Sequence, residues 1–140
     1  MEQQIRAWKC QRFAGFDASG GKRETISPLR EVLDLTETFL PRCDENSVLI
    51  RNHFVGVQYP DALQAQGFYQ ERPELPYVPG VDCVGKVLKV GASVTRVHPG
   101  DIVIGNMPIG ALAEVSAASA TRVWKLPAGL DMQKCANLSR

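Results

Sequence analysis

Short bursts of apolar residues run along this chain, broken at close intervals by glycine and proline. Val48 to Val57 is the clearest of them, rich in β-branched and aromatic side chains, and predicts a strand. Cys83 to Val90 alternates apolar and charged residues over its second half, which predicts a strand with one buried face, ended by Gly91. Ile5 to Trp8 reads as a short opening strand, and Glu31 to Leu35 as a strand or a short helical turn. Pro99-Gly100-Asp101 forms a turn feeding the strand Ile102 to Ile104, and two more strands are expected at Ala111 to Ser116 and Arg122 to Leu126.

Helical signals are few. Pro60 to Gly67 predicts two turns of helix, with Pro60 suited to the first helical position and Gly67 to a left-handed C-terminal cap. Leu130 to Leu138 predicts the start of a second helix, capped by Asp131, with nothing after it to bury its apolar face. Phe13 to Arg23 is polar and glycine-bearing and reads as a mobile loop; Arg72 to Gly80 is a loop in which Pro73, Pro76 and Pro79 prevent regular pairing. Many short strands, turns rich in glycine and proline, and little helix predict a mainly β protein with short helices, a small barrel or sandwich.

Composition narrows the function classes. The 140 residues suit one domain, and 16 basic against 15 acidic side chains leave a net charge of +1, without the basic footprint of a nucleic-acid binder. No apolar run approaches a bilayer span, and Met1 to Arg6 has no basic-to-apolar leader pattern. A cytoplasmic protein without membrane or nucleic-acid partners is the expectation. Cys10, Cys43, Cys83 and Cys135 are scattered, with no close pair of the kind that presents two thiolates to zinc. Buried, reduced thiols are expected in preference to a disulfide framework.

One ordered series of residues is more specific than any of this. Gly80-Val81-Asp82-Cys83-Val84-Gly85-Lys86-Val87 is followed by Val90-Gly91, Val94-Thr95 and Gly100-Asp101-Ile102-Val103-Ile104-Gly105. Gly80 and Gly85 permit close backbone approach, and Asp101 sits where its carboxylate bonds turn amides. The series resembles the signature of the medium-chain dehydrogenase/reductase superfamily, G-x-D/E-x-x-G-x-V, then V-G, V-T and G-D-x-V-x-G. Gly56 to Leu63 with Gln66 to Tyr69 is similar to the G-V-N-x-x-D…x-G-x-Y segment of zinc-free quinone-oxidoreductase-like members. Ala113-Glu114-Val115 and Leu126 to Leu130 match further along, so the likeness runs from about Val48 to Leu138.

The resemblance implies a GroES-like, partly open β-barrel over residues 1–140, with the Rossmann nucleotide-binding domain absent from this chain. It also implies hydride transfer from NADPH, or another nicotinamide cofactor, to a quinone or an α,β-unsaturated carbonyl, with a homodimer compatible with it. Residues 1–140 alone are expected to be inactive. Zinc-dependent relatives carry a cysteine where this chain has Gln58 and a histidine where it has Val81, and neither replacement ligates zinc. Carried over residue by residue, Gln58 and Asp61 are the cofactor-binding candidates and Tyr69 the candidate for presenting a hydroxyl to a substrate carbonyl. Gln58 departs from the family's asparagine by one methylene. Asp61 has a competing role in bonding backbone at the helix start, and Tyr69 one as a loop anchor.

Other signals fall away. Gly80 to Lys86 superficially matches a phosphate-binding loop, but Val87 replaces the required Ser or Thr and the segment leads into a strand. No G-x-G-x-x-G occurs, and His53 and His98 have no nucleophile motif nearby. A stand-alone binding module with the same barrel is the alternative function. A co-chaperonin is a third, weakened because the loop from Gly15 to Lys22 lacks an apolar tripeptide.

Overall fold

A computed structural model describes residues 3–136. Seven strands, one α-helix and two 3-10 turns follow in order. They are β1 (Gln4–Cys10), a 3-10 turn (Leu29–Glu31), β2 (Leu33–Phe39), β3 (Ser47–Gly56), α1 (Tyr59–Gln66), β4 (Asp82–Val90), β5 (Ile102–Asn106), β6 (Val115–Ser119), a second 3-10 turn (Ala120–Arg122) and β7 (Val123–Lys125). The protein is mainly β, as its pattern predicts.

Five strands form one antiparallel sheet in the order β6-β3-β4-β5-β7, and β1 and β2 form a separate antiparallel ribbon. This order forces the sheet to curl. Its two edge strands, β6 and β7, lie four strand spacings apart, roughly 19 Å if the sheet were flat. Yet only Ala120–Arg122 joins them, and four Cα steps from Ser119 to Val123 reach at most about 14 Å. The edges must therefore approach each other, closing a half-barrel of the GroES-like kind. Arg96 pins the closing turn by donating from Nη2 to the carbonyl oxygens of Ala120 (2.6 Å) and Val123 (3.3 Å).

Inside the curl lies the main core, with Val48, Ile50, Cys83, Val87, Val103 and Val123 at its centre. On the outer side of the sheet, Leu49 and Val115 pack against Ile5 of the ribbon. A third cluster holds Cys10, Ala14, Val32, Ala65 and Tyr77, tying the long loop and α1 to β1. The Phe13–Arg23 segment is a loop, as its composition predicts, but a well-anchored one. Ala14 and Gly15 donate backbone bonds to Ala65 and Gln66, and Arg72 stacks over Phe16 at 4.5 Å while donating to the Gly67 carbonyl.

Four local expectations are corrected. The strand predicted at Ala111 to Ser116 runs instead over Val115–Ser119; Ala111 to Glu114 cross the barrel mouth, where Leu112 and Glu114 bond Pro79, Trp8 and Arg6 backbone. The helix predicted from Leu130 is a run of turns through residue 136, with Leu138 outside the described residues. Asp131 still accepts from the Gln133 and Lys134 amides, so the cap forms without a regular helix following it. Its apolar side is covered, because Cys135 and Ala136 pack on Val84 and Ile104. That packing buries both faces of β4 at its start, where alternation alone predicts one. Finally, α1 begins at Tyr59, placing Pro60 second, while Gly67 takes the left-handed cap at φ +88°.

Candidate functional site at the start of helix α1

β3 and β4 pair so that Gly56 lies opposite Asp82. The chain leaving β3 therefore passes Val57 and turns into α1 directly beside the start of β4. Gln58 is the N-cap, in an extended conformation (φ −126°, ψ 168°). Asp61, at the third helical position and only 6% exposed, accepts the Gln58 backbone N–H through Oδ2 at 2.9 Å. A carboxylate in the first turn also complements the helix dipole. The backbone-bonding role weighed for Asp61 in the sequence is therefore present in the structure.

The Gln58 side chain turns inward. Its Nε2 donates to Oδ2 of Asp82 at 3.2 Å, and the other oxygen of that carboxylate accepts from Asn106 Nδ2 at 3.0 Å. Asp82 is fully buried. Burying a carboxylate is costly unless its oxygens are hydrogen-bonded, and these two side-chain amides supply such bonds. Asn106 in turn accepts from Arg122, through Nε at 3.1 Å and through Nη2. Asp82 belongs to the G-x-D/E signature, but no sequence signal links it to Asn106 or Arg122, which sit at the ends of other elements. Sequence reasoning missed these three residues.

Beside this network a groove of about 320 Å³ is lined by Pro60, Asp61, Gln64, Tyr69, Glu71, Val81 and Pro108. It brings Asp61, Tyr69 and Val81 together, whereas the Gln58 side chain is turned to Asp82, the residue after Val81, and does not line the groove. Tyr69 is partly exposed (39%), and Val57 and Tyr59 are exposed to either side of Gln58. The two positions where the resemblance places a zinc-binding cysteine and histidine, Gln58 and Val81, carry an amide and an isopropyl group. That donor set does not fit zinc. Among the described residues no group of three or more His, Cys, Asp or Glu is placed to hold a metal ion. A nicotinamide cofactor fits only in part, since the groove offers one wall and no glycine-rich turn for a pyrophosphate.

Cys10, Cys83 and Cys135 are buried and Cys43 half-buried, all four as free thiols. Burial pushes the Cys83 thiol up to about 12 and raises that of Cys10 as well. His53 sits at a β-bulge between Asn52 and Phe54, while the His98 backbone N–H donates to Asp101 in the turn ahead of β5. No helix among the described residues is long and apolar enough to cross a membrane.

This half-barrel, with its groove beside the first turn of α1, defines a class: the N-terminal, GroES-like domain of medium-chain dehydrogenases and reductases. Residues 44–128 match the alcohol dehydrogenase GroES-like domain, and the chain belongs to that family. Within the superfamily its relatives are quinone-oxidoreductase-like. It is 30% identical over 132 residues to quinone oxidoreductase-like protein 2 of Rattus norvegicus, covering 94% of this chain and 38% of that protein. It is 35% identical over 106 residues to the quinone oxidoreductase of Homo sapiens, covering 74% of this chain and 32% of that one. Among solved structures it resembles the Escherichia coli quinone oxidoreductase complexed with NADPH, with a TM-score of 0.79 and 25% identity over 94% of this chain and 36% of that one. The human synaptic vesicle membrane protein VAT-1 homolog-like protein superposes with a TM-score of 0.80 and 28% identity over 96% of this chain and 39% of that one. The chain therefore spans well under half the length of these relatives.

Proposed function

We propose that residues 1–140 form the substrate-side wall of an NADPH-dependent, zinc-independent reductase that transfers hydride to a quinone or an α,β-unsaturated carbonyl. The nucleotide-binding domain completing the cleft is supplied from outside these residues, and this chain alone is inactive. The observation that carries the reading is the convergence of Asp61, Tyr69 and Val81 on one groove, next to the hydrogen bond from Gln58 to Asp82, with no zinc donor at the two positions, 58 and 81, where zinc-dependent relatives place theirs. The nicotinamide supplies the hydride when bound, and the protein's share is orientation and electrostatics.

In this reading Gln58, its amide nitrogen held by Asp82, braces the start of α1 on the cofactor side, and Asp61 sets the first turn of the helix that Gln58 caps. Tyr69 offers its hydroxyl to the substrate carbonyl, where a hydrogen bond stabilises charge developing on oxygen. Pro60, Val81 and Pro108 give the ring an apolar surface.

Two measurements test the proposal. NADPH fluorescence titrated with the 140-residue chain at micromolar concentration shows no saturable change; a saturable one would place the cofactor site inside these residues. In a longer protein that includes the nucleotide-binding half, Tyr69→Phe lowers kcat/KM for a quinone about 10-fold, from one lost bond of about 1.4 kcal/mol. An unchanged kcat/KM would remove Tyr69 from the reaction.

A further inference from the structure

Arg122 lies on the 3-10 turn that closes the barrel, in a stretch of chain remote in sequence from Gln58, yet the two are joined by unbroken hydrogen bonds. The guanidinium donates twice to Asn106 Oδ1, Asn106 Nδ2 donates to Asp82 Oδ1, and Asp82 Oδ2 accepts from Gln58 Nε2. We infer that Arg122 is a positioning residue for this site, holding the Gln58 amide through Asn106 and Asp82. The functional importance of that amide rests on the reading proposed above; the coupling itself does not.

The chemistry of the groups sets the direction of the chain. A guanidinium only donates and a carboxylate only accepts, so an asparagine between them has one orientation, oxygen toward Arg122 and nitrogen toward Asp82. Two N–H bonds from a cation polarise the Asn106 amide and strengthen its own donation. That bond holds one oxygen of Asp82, which fixes the plane of the carboxylate and hence where the second oxygen meets Gln58. Asp82 cannot relax toward water, because it is fully buried. Arg122 by contrast is exposed on its turn and shares a groove of about 450 Å³ with Val81, Asn106, Met107, Pro108 and Ser119. Val81 and Pro108 also line the Tyr69 groove, so the two grooves adjoin at these residues.

Arg96 provides a control built into the fold. It bonds the backbone of the same closing turn, at Ala120 and Val123, but has no bond to Asn106 or Asp82 among those described. A general loosening of the turn is therefore separable from loss of the polar chain.

The experiment follows the Gln58 side-chain amide by 15N–1H NMR in the 140-residue chain, without cofactor. Arg122→Met is expected to speed exchange of the Gln58 amide protons with water about fivefold and to shift their resonances. Arg96→Met should leave both within experimental scatter. Asn106→Ala, which removes the bond to Asp82 outright, should have at least the effect of Arg122→Met, and adding Arg122→Met to Asn106→Ala should cause no further change. Wild-type exchange and shifts in Arg122→Met would overturn the inference, as would an equal effect of Arg96→Met or additive effects in the double variant. Because the readout needs neither NADPH nor turnover, its failure is distinguishable from failure of the reductase reading, which the NADPH and Tyr69 experiments address.

Discussion

Two signature glycines, Gly85 on β4 and Gly105 on β5, both face Ile50, yet the structure assigns them different reasons for being glycine. A methyl group added at Gly105 would sit 2.7 Å from Ile50 Cδ1 and 3.1 Å from Cys83 Sγ. The nearest obstacle is the tip of a side chain, about 1 Å inside the preferred carbon–carbon separation. Overpacking of this kind costs about 1–3 kcal/mol, so Gly105→Ala should destabilise by about 2. Ile50→Val deletes the clashing Cδ1 and should cost about 1 kcal/mol by itself. Combined, the new methyl fills the space the deleted one leaves, and the double variant should lose at least 1 kcal/mol less than the sum of the single losses. Gly85 behaves otherwise. Its added methyl would meet the Arg51 carbonyl oxygen at 2.0 Å, inside the β3–β4 ladder, where no rotamer change gives relief. The nearest side-chain clash there is Ile50 Cγ2 at 2.9 Å, which valine retains. Gly85→Ala should therefore prevent folding or cost more than about 4 kcal/mol, and Ile50→Val should not rescue it. Urea unfolding followed by far-ultraviolet circular dichroism, with equal m-values across the set, gives the cycle. Additivity within about 0.5 kcal/mol at Gly105, or rescue at Gly85, would refute the reasoning.

The cysteines make a second prediction. With Cys83 pushed up to about 12, its thiolate fraction at pH 8 is about 1 in 10,000, roughly a thousandfold below an ordinary thiol. Alkylation of the native chain should begin at half-buried Cys43, and fast labelling of Cys83 would contradict its environment. Asp17, Asp44 and Glu114 are held below the usual carboxylate range, chiefly by the Ser19 hydroxyl, the Ser47 hydroxyl and the Arg6 backbone amide respectively. Their folded values are depressed, so the stability they contribute is complete above the unfolded carboxylate pKa of about 4 and is lost as pH falls through the folded values. Asp44→Asn should flatten the acid limb of a stability-against-pH curve, and an unchanged limb would show that the Ser47 and Asn46 bonds do not favour the ionised form.

Most of the strands were legible in the sequence because their information is local. β3 and β4 are marked by β-branched and alternating residues, α1 by a proline near its start and a glycine in the left-handed cap, and the turn before β5 by Asp101. That Gln58 and Val81 stand where zinc-dependent relatives carry a cysteine and a histidine was also legible, through the motif series that the family match later supported. Three features were not. Whether residues 131–136 become a helix depends on what they pack against, and Val84 with Ile104 accommodates turns. The onset of β6 depends on residues 111–114 being held by Pro79, Gly80 and β1, with β3 reaching them only through Asn52 and not through a continuous ladder. The polar chain from Arg122 to Gln58 joins four residues from separate elements, and no local pattern encodes that juxtaposition. Side-chain periodicity and turn chemistry act within a few residues, so the sequence by itself determined the elements and the absence of zinc donors at two positions. Where a buried carboxylate finds its hydrogen bonds is settled only by strand pairing, which sets Asn106 opposite Asp82 in the β4–β5 ladder and, through Gly105 opposite Val123, brings Arg122 beside Asn106.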